Sequence, residues 1–186
     1  SVVIQSNSIT DHQMGIYYRG FGGLITRNTI SDTRDEGIEL RNETGYVGTA
    51  VVSHNRIMNI QGHAAIASDL DTLEIRQNRI SNCKQNGIAL HAGINEVIGN
   101  QLSDCIGYSI LVNDAVSQVI NNTIKNGKNY FIWFNGSGHT KTGGMIEENK
   151  LYSNTQLQVP YILDTSGRIT NYTGNTLKVP YSNINV

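Results

Sequence analysis

Hydrophobic positions along this chain fall in short runs punctuated by Gly, Asn and Asp, and the runs keep step with one tripeptide. Asn-x-Ile/Leu occurs at Asn7, Asn28, Asn55, Asn78, Asn100, Asn122, Asn149 and Asn175, with gaps of 21, 27, 23, 22, 22, 27 and 26 residues. An apolar run precedes each of the first seven asparagines, from Val2-Val3-Ile4 through Leu73-x-Ile75 to Met145-Ile146. A second run follows about ten residues later, as in Gly15-Ile16-Tyr17-Tyr18, Gly37-Ile38-Glu39-Leu40 and Gly87-Ile88-Ala89-Leu90. Such runs, rich in β-branched residues and bounded by turn formers, predict strands. No window carries a 3.6-residue apolar period long enough for a helix. A third strand starting at the Ile of Asn-x-Ile completes a coil of about 22 residues, and a period in the low twenties is the mark of a solenoid whose repeats touch only their neighbours. Leucine-rich repeats share the period but need a denser Leu pattern, which is missing.

The asparagine recurs for physical reasons. A sharp bend between strands needs a residue near the left-handed region, which Asn tolerates, so Asn itself is expected there. Stacked amides can also donate and accept along a column. The second-run residues Ile16, Ile38, Ile66, Ile88, Ile110, Ile132 and Ile162 are expected to stack inward as one buried column.

These motifs resemble the pectin-lyase-like class of right-handed parallel β-helices, which includes pectate lyases, polygalacturonase-like hydrolases, alginate epimerases and phage tailspikes. The resemblance covers essentially all 186 residues. It implies an all-β right-handed parallel β-helix of about eight coils with three short strands per coil, residues 1–186 forming a single domain. Activity varies within that class, and the hydrolases' Asn-x-Asp, Asp-Asp and Arg-x-Lys sets have no intact counterpart in this chain.

Composition changes the picture only at the edges. A net charge of −1 with interspersed Lys/Arg and Asp/Glu gives no nucleic-acid footprint. No apolar run reaches membrane-spanning length, so no membrane partner is expected. The chain opens inside a strand-like segment with no polar cap, so it is expected to be a segment of a longer solenoid, with flanking domains or a homotrimer covering its ends. Cys83 and Cys105 both lie five residues past a repeat asparagine, and equivalent side chains pointing the same way suit a reduced thiol stack better than a bridge.

Candidate chemistry lies on the outer face of the strands carrying the Ile column. Strand alternation puts Tyr17, Glu39, Ala67, Ala89, Leu111, Trp133 and Leu163 outward, followed by Arg19, Arg41, Asp69, His91, Asn113, Asn135 and Thr165. Arg41, Asp69 and His91 fall in consecutive rungs. Asp69 and Glu39 are candidate catalytic carboxylates flanking a glycosidic bond. His91 is a candidate base if the substrate is a uronic acid, with Arg41 neutralising its carboxylate. Arg41, Asn113, Trp133 and Asn135 are candidate substrate-binding residues, Trp133 as a stacking platform or packed beneath the 136–144 loop. The same Arg-Asp-His run also reads as a self-satisfying cross-strand charge ladder. No cofactor is expected. Calcium at Asp69, Asp71 and Asp114 is the one metal considered. The loops 41–48 and 136–144 leave the same edge and could wall a groove.

The expected partner is therefore an extended polysaccharide, met outside a cell or on a virion surface. The alternative is a non-catalytic spike or adhesin segment.

Overall fold

The computed structural model describes residues 2–20, 22–42, 49–136, 141–155, 157 and 159–179. Its strands form three parallel sheets wound as a right-handed β-helix of about seven turns. The first sheet stacks eight strands from Val2–Gln5 to Ile169–Asn171, the second eight from Ser8–Thr10 to Thr176–Lys178, and the third seven from Ile16–Arg19 to Ile162–Asp164. Every coil visits the sheets in the same order. Seven coils are complete, and the eighth supplies two strands among the described residues.

Parallel register makes equivalent residues of neighbouring coils sit over one another. Three inward columns result. Ile25, Val52, Ile75, Val97, Val119 and Ile146 come from the first sheet, and Ile30, Ile57, Ile80, Leu102, Ile124 and Leu151 from the second, all buried. The third sheet gives the expected Ile column, with Ile38, Ile66, Ile88, Ile110 and Ile132 at 0 % exposure. Ile16 is also buried, while Ile162 in the last coil is only partly covered. Gly37, just before its Ile, has a steric reason to lack a side chain: a Cβ there would lie 2.7 Å from the Ala65 carbonyl oxygen. The paired Cys83 and Cys105 are buried free thiols. The Cys83 thiol is pushed up by its hydrogen bond to Cys105 and by burial, so it stays protonated and inert.

The asparagine column forms a ladder between the first and second sheets. Asn78 Nδ2 donates to Asn100 Oδ1 at 3.0 Å and to the Val52 carbonyl at 2.9 Å. The backbone N–H of Asn78 donates to the same Asn100 oxygen at 2.9 Å. This set repeats from Asn28 to Asn149, whose side chains are at most 1 % exposed.

The expected conformation of these asparagines is corrected. The left-handed residue is the one before each Asn: Ser6, Arg27, His54, Gln77, Gly99, Asn121, Glu148 and Gly174 all have φ between 53° and 68°. The Asn is thereby freed to aim its amide along the stack. Four residues beyond the asparagines, Asp11, Asp32, Asn59, Asn82, Asp104 and Asn126 form a second left-handed column, and here the Asx preference is the one expected.

Candidate functional site

Strand alternation on the third sheet places the outward residues as the repeat predicts, with Glu39 paired to Ala67, Ala67 to Ala89, Ala89 to Leu111 and Leu111 to Trp133. Small side chains in the middle coils leave a depression. Glu36, Glu39 and Arg41 from one coil, His63, Ala67 and Ser68 from the next, and His91 from the third line a cleft of about 220 Å³. Glu36 lies in the bend before the strand Ile38–Arg41, and His63 directly before the strand Ala64–Ser68. Both lie outside the two alternating columns, so the outward-column argument missed them. The available signal was a second carboxylate and a second imidazole at strand entries on the same two coils.

Arg41 organises the charged end. Its Nε donates to Glu39 Oε1 at 2.7 Å, and its Nη1 donates to Asp69 Oδ2 at 3.0 Å. Asp69 is tied further by the Asn42 backbone N–H, which donates to Oδ1 at 2.8 Å. Those two partners raise the Arg41 guanidinium above its ordinary value, the Asp69 hydrogen bond most of all. The predicted pair Asp69 and Glu39 is thus joined by one guanidinium.

Glu36 is a different kind of carboxylate. It is buried, has no ion pair among the described residues, and lies beside Asp35 and in the field of Glu39. Burial, the Asp35 hydrogen bond and the two negative neighbours push it up to about 7. It therefore holds its proton close to neutral pH. Across the cleft the His63 and His91 imidazoles stack at 5.4 Å between centroids, with their Nε2 atoms 3.3 Å apart. The Asn113 amide meets His91 Nδ1 at 3.4 Å.

Beyond His91 the face turns apolar and aromatic. Trp133 is half-buried, meeting Tyr108 and Tyr130 edge-on with ring centroids 4.7 and 5.7 Å away. Leu111 is buried in the same cluster. Trp133 Nε1 and Asn113 Oδ1 are buried without a hydrogen-bond partner among the described residues. Asn135 lies beside Asn113 on the neighbouring strand. The structure thus brings Glu39, Arg41, Asp69 and His91 together in adjoining coils and sets Asn113, Trp133 and Asn135 along the same axis. Of the two expected walls, 43–48 and 137–140 lie outside the described residues.

Asp71 accepts from Asn42 Nδ2 at 3.0 Å. Asp71 and Asp114 both line a larger groove of about 740 Å³ on the adjoining corner, with Lys141 and Arg168 also at its wall. Among the described residues, no group of three or more His, Cys, Asp or Glu side chains is placed to hold a metal ion. Likewise no helix is long and apolar enough to cross a membrane.

Residues 1–155 match the family model of the right-handed β-helix region, and the chain belongs to that family. No curated protein and no solved structure matches it.

Proposed function

We propose that the protein binds an extended polysaccharide along the outer face of the third sheet and hydrolyses it in the Glu36–His91 cleft. The carrying observation is the pair of unlike carboxylates in one cleft, Glu36 buried and protonated to about pH 7, Glu39 ion-paired to Arg41. A carboxyl raised toward neutrality beside an ion-paired carboxylate suits the two to acid and base roles. Glu36 would protonate the leaving glycosidic oxygen, and Glu39 would act on water or on the anomeric carbon. Asp69 then serves as a positioning residue, holding Arg41 against Glu39.

Hydrolysis is favoured over elimination because Arg41 is already engaged by Glu39 and Asp69. An arginine so occupied is poorly disposed to neutralise a substrate uronate. On the aromatic side a sugar ring face would stack against half-buried Trp133 beside Tyr108 and Tyr130. End-group analysis on a panel of neutral and acidic polysaccharides tests this reading. New reducing ends without unsaturated sugars support it, whereas unsaturated ends would establish a lyase with His91 as base.

A second reading, a non-catalytic spike or adhesin segment, is supported by the Arg41 bridge, which satisfies the charges of Glu39 and Asp69 without any ligand. Glycan binding with no turnover on any substrate of the panel would favour it.

A further inference from the structure

The outer face of the second sheet differs in charge from every other face of the coil. Its register puts Arg56 beside Arg79, Arg79 beside Gln101, Gln101 beside Thr123 and Thr123 beside Lys150. The parallel column two residues on runs through Ser81, Ser103, Lys125, Tyr152 and Lys178. From Ser8 to Lys178, neither outward column contains an Asp or Glu. Arg56 and Arg79 make no ion pair among the described residues, whereas Arg41 and Arg76 on the other sheets are each paired with carboxylates.

Like charges directly opposite on neighbouring strands are destabilising, and nothing in the fold requires two arginines at adjacent rungs. With Lys125 they line a groove of about 470 Å³ whose other polar side chains are Ser81, Ser103, Thr123 and Gln101, with Ile80 and Leu102 also at its wall. Uncompensated cations over a hydroxyl-lined, straight groove suit a chain carrying both repeated anions and hydroxyls.

We infer that this face is a second binding site, for an acidic polysaccharide lying along the solenoid axis over Arg56, Arg79, Gln101, Lys125 and Lys150. Nucleic acid fits less well. Acidic residues flank the strip, Asp32 after the strand Thr29–Ser31, Asp104 near the end of Gln101–Cys105 and Glu148 before Lys150–Tyr152, and would repel a densely charged phosphate backbone. A single-stranded nucleic acid also needs exposed aromatic faces for its bases. The one aromatic ring on the strip, Tyr152, has Lys125 and Lys178 ammonium groups 5.6 and 5.8 Å from its centroid. This inference is independent of the hydrolytic reading of the third sheet.

The test is equilibrium binding of size-defined heparin oligosaccharides, with uncharged dextran and a DNA oligonucleotide of matched charge as comparisons. Heparin is expected to bind, with Kd rising about tenfold between 50 and 200 mM salt as a few counterions are displaced. R56Q/R79Q should weaken binding at least tenfold while leaving any third-sheet turnover unchanged. K125Q/K150Q, on different coils, should weaken it comparably and serves if the arginine variant fails to fold. No heparin binding by the native protein, equal affinity in folded variants, or equally tight DNA binding would each overturn the proposal.

Discussion

Two corners of the same coil follow opposite rules. Where the first sheet turns into the second, the connection is two residues long in seven coils, a left-handed residue followed by the ladder asparagine. Where the third sheet turns into the first, connections run from two residues after Asn113 to seven after Arg41 and Asn135. The first corner is buried from Asn28 to Asn149, and its amides are engaged by each other and by backbone carbonyls. The second carries Asp69, Asp71, His91 and Asp114, and beside it lies the cleft holding Glu36. Corners fixed by buried hydrogen bonds cannot vary without stranding partners in three coils, so variation and chemistry collect at the other corner.

The largest expected effect comes from breaking the fixed corner. Asn78→Ala removes the acceptor of two Asn55 donors and leaves the Val52 carbonyl and Asn100 Oδ1 short of a donor. At about 1–3 kcal/mol for each stranded buried group, a loss of about 3–5 kcal/mol is expected by denaturant unfolding. Asn113→Ala at the variable corner should cost less than about 1 kcal/mol, since its amide has a single long contact to His91. Equal losses at the two positions would erase the distinction. Ile88→Ala, in the core shared by both corners, should cost about 2–5 kcal/mol, the usual range for a packed large-to-small change.

A pH scan sharpens the contrast further. Glu36 is raised from 4.5 to about 7 in the folded protein, so between these values the native state binds more protons than the unfolded state. Its contribution is fully present below pH 4.5 and is lost as pH rises through about 7. Stability should fall there by up to about 1.4 kcal/mol per pH unit. In Glu36→Gln the component should vanish; an unchanged slope would mean that Glu36 titrates as an ordinary exposed carboxylate. The smallest effect belongs to Gln77→Gly. Gln77 holds φ 55° where the next coil uses Gly99, and relieving that backbone should stabilise the protein by no more than about 1 kcal/mol. A loss exceeding that would show that the Gln77 side chain, rather than its backbone, supports the corner.

Much of this was legible in the amino-acid sequence, for a reason specific to solenoids. Parallel in-register stacking converts equal repeat position into spatial adjacency, so the columns of Ile38, Ile66 and Ile88 or of Arg41, Asp69 and His91 follow from alignment alone. The conformation of the ladder asparagines did not follow, because tolerance of the left-handed region is not a requirement for it. The hydrogen-bonding needs of the amide moved that burden to Arg27, Gln77 or Glu148, residues with no such preference. Glu36 and His63 escaped notice because strand alternation says nothing about side chains in a bend. Their importance arises from burial and neighbours, which only the folded coil supplies. Nor could the repeat show that Arg41 would span Glu39 and Asp69, since side-chain reach across a rung depends on rotamer.

Glu36 as the acid of a polysaccharide-cleaving cleft is tested most directly by comparing native protein with Glu36→Gln on a polysaccharide panel. Initial rates of reducing-end release are the readout, with melting temperature confirming the fold. Turnover of at least one extended polysaccharide by the native protein is expected, with a loss of about 10²–10⁴-fold in Glu36→Gln, the usual contribution of a positioned general acid. Native-like rates in folded Glu36→Gln, or no release by the native protein from any member of the panel, would contradict it.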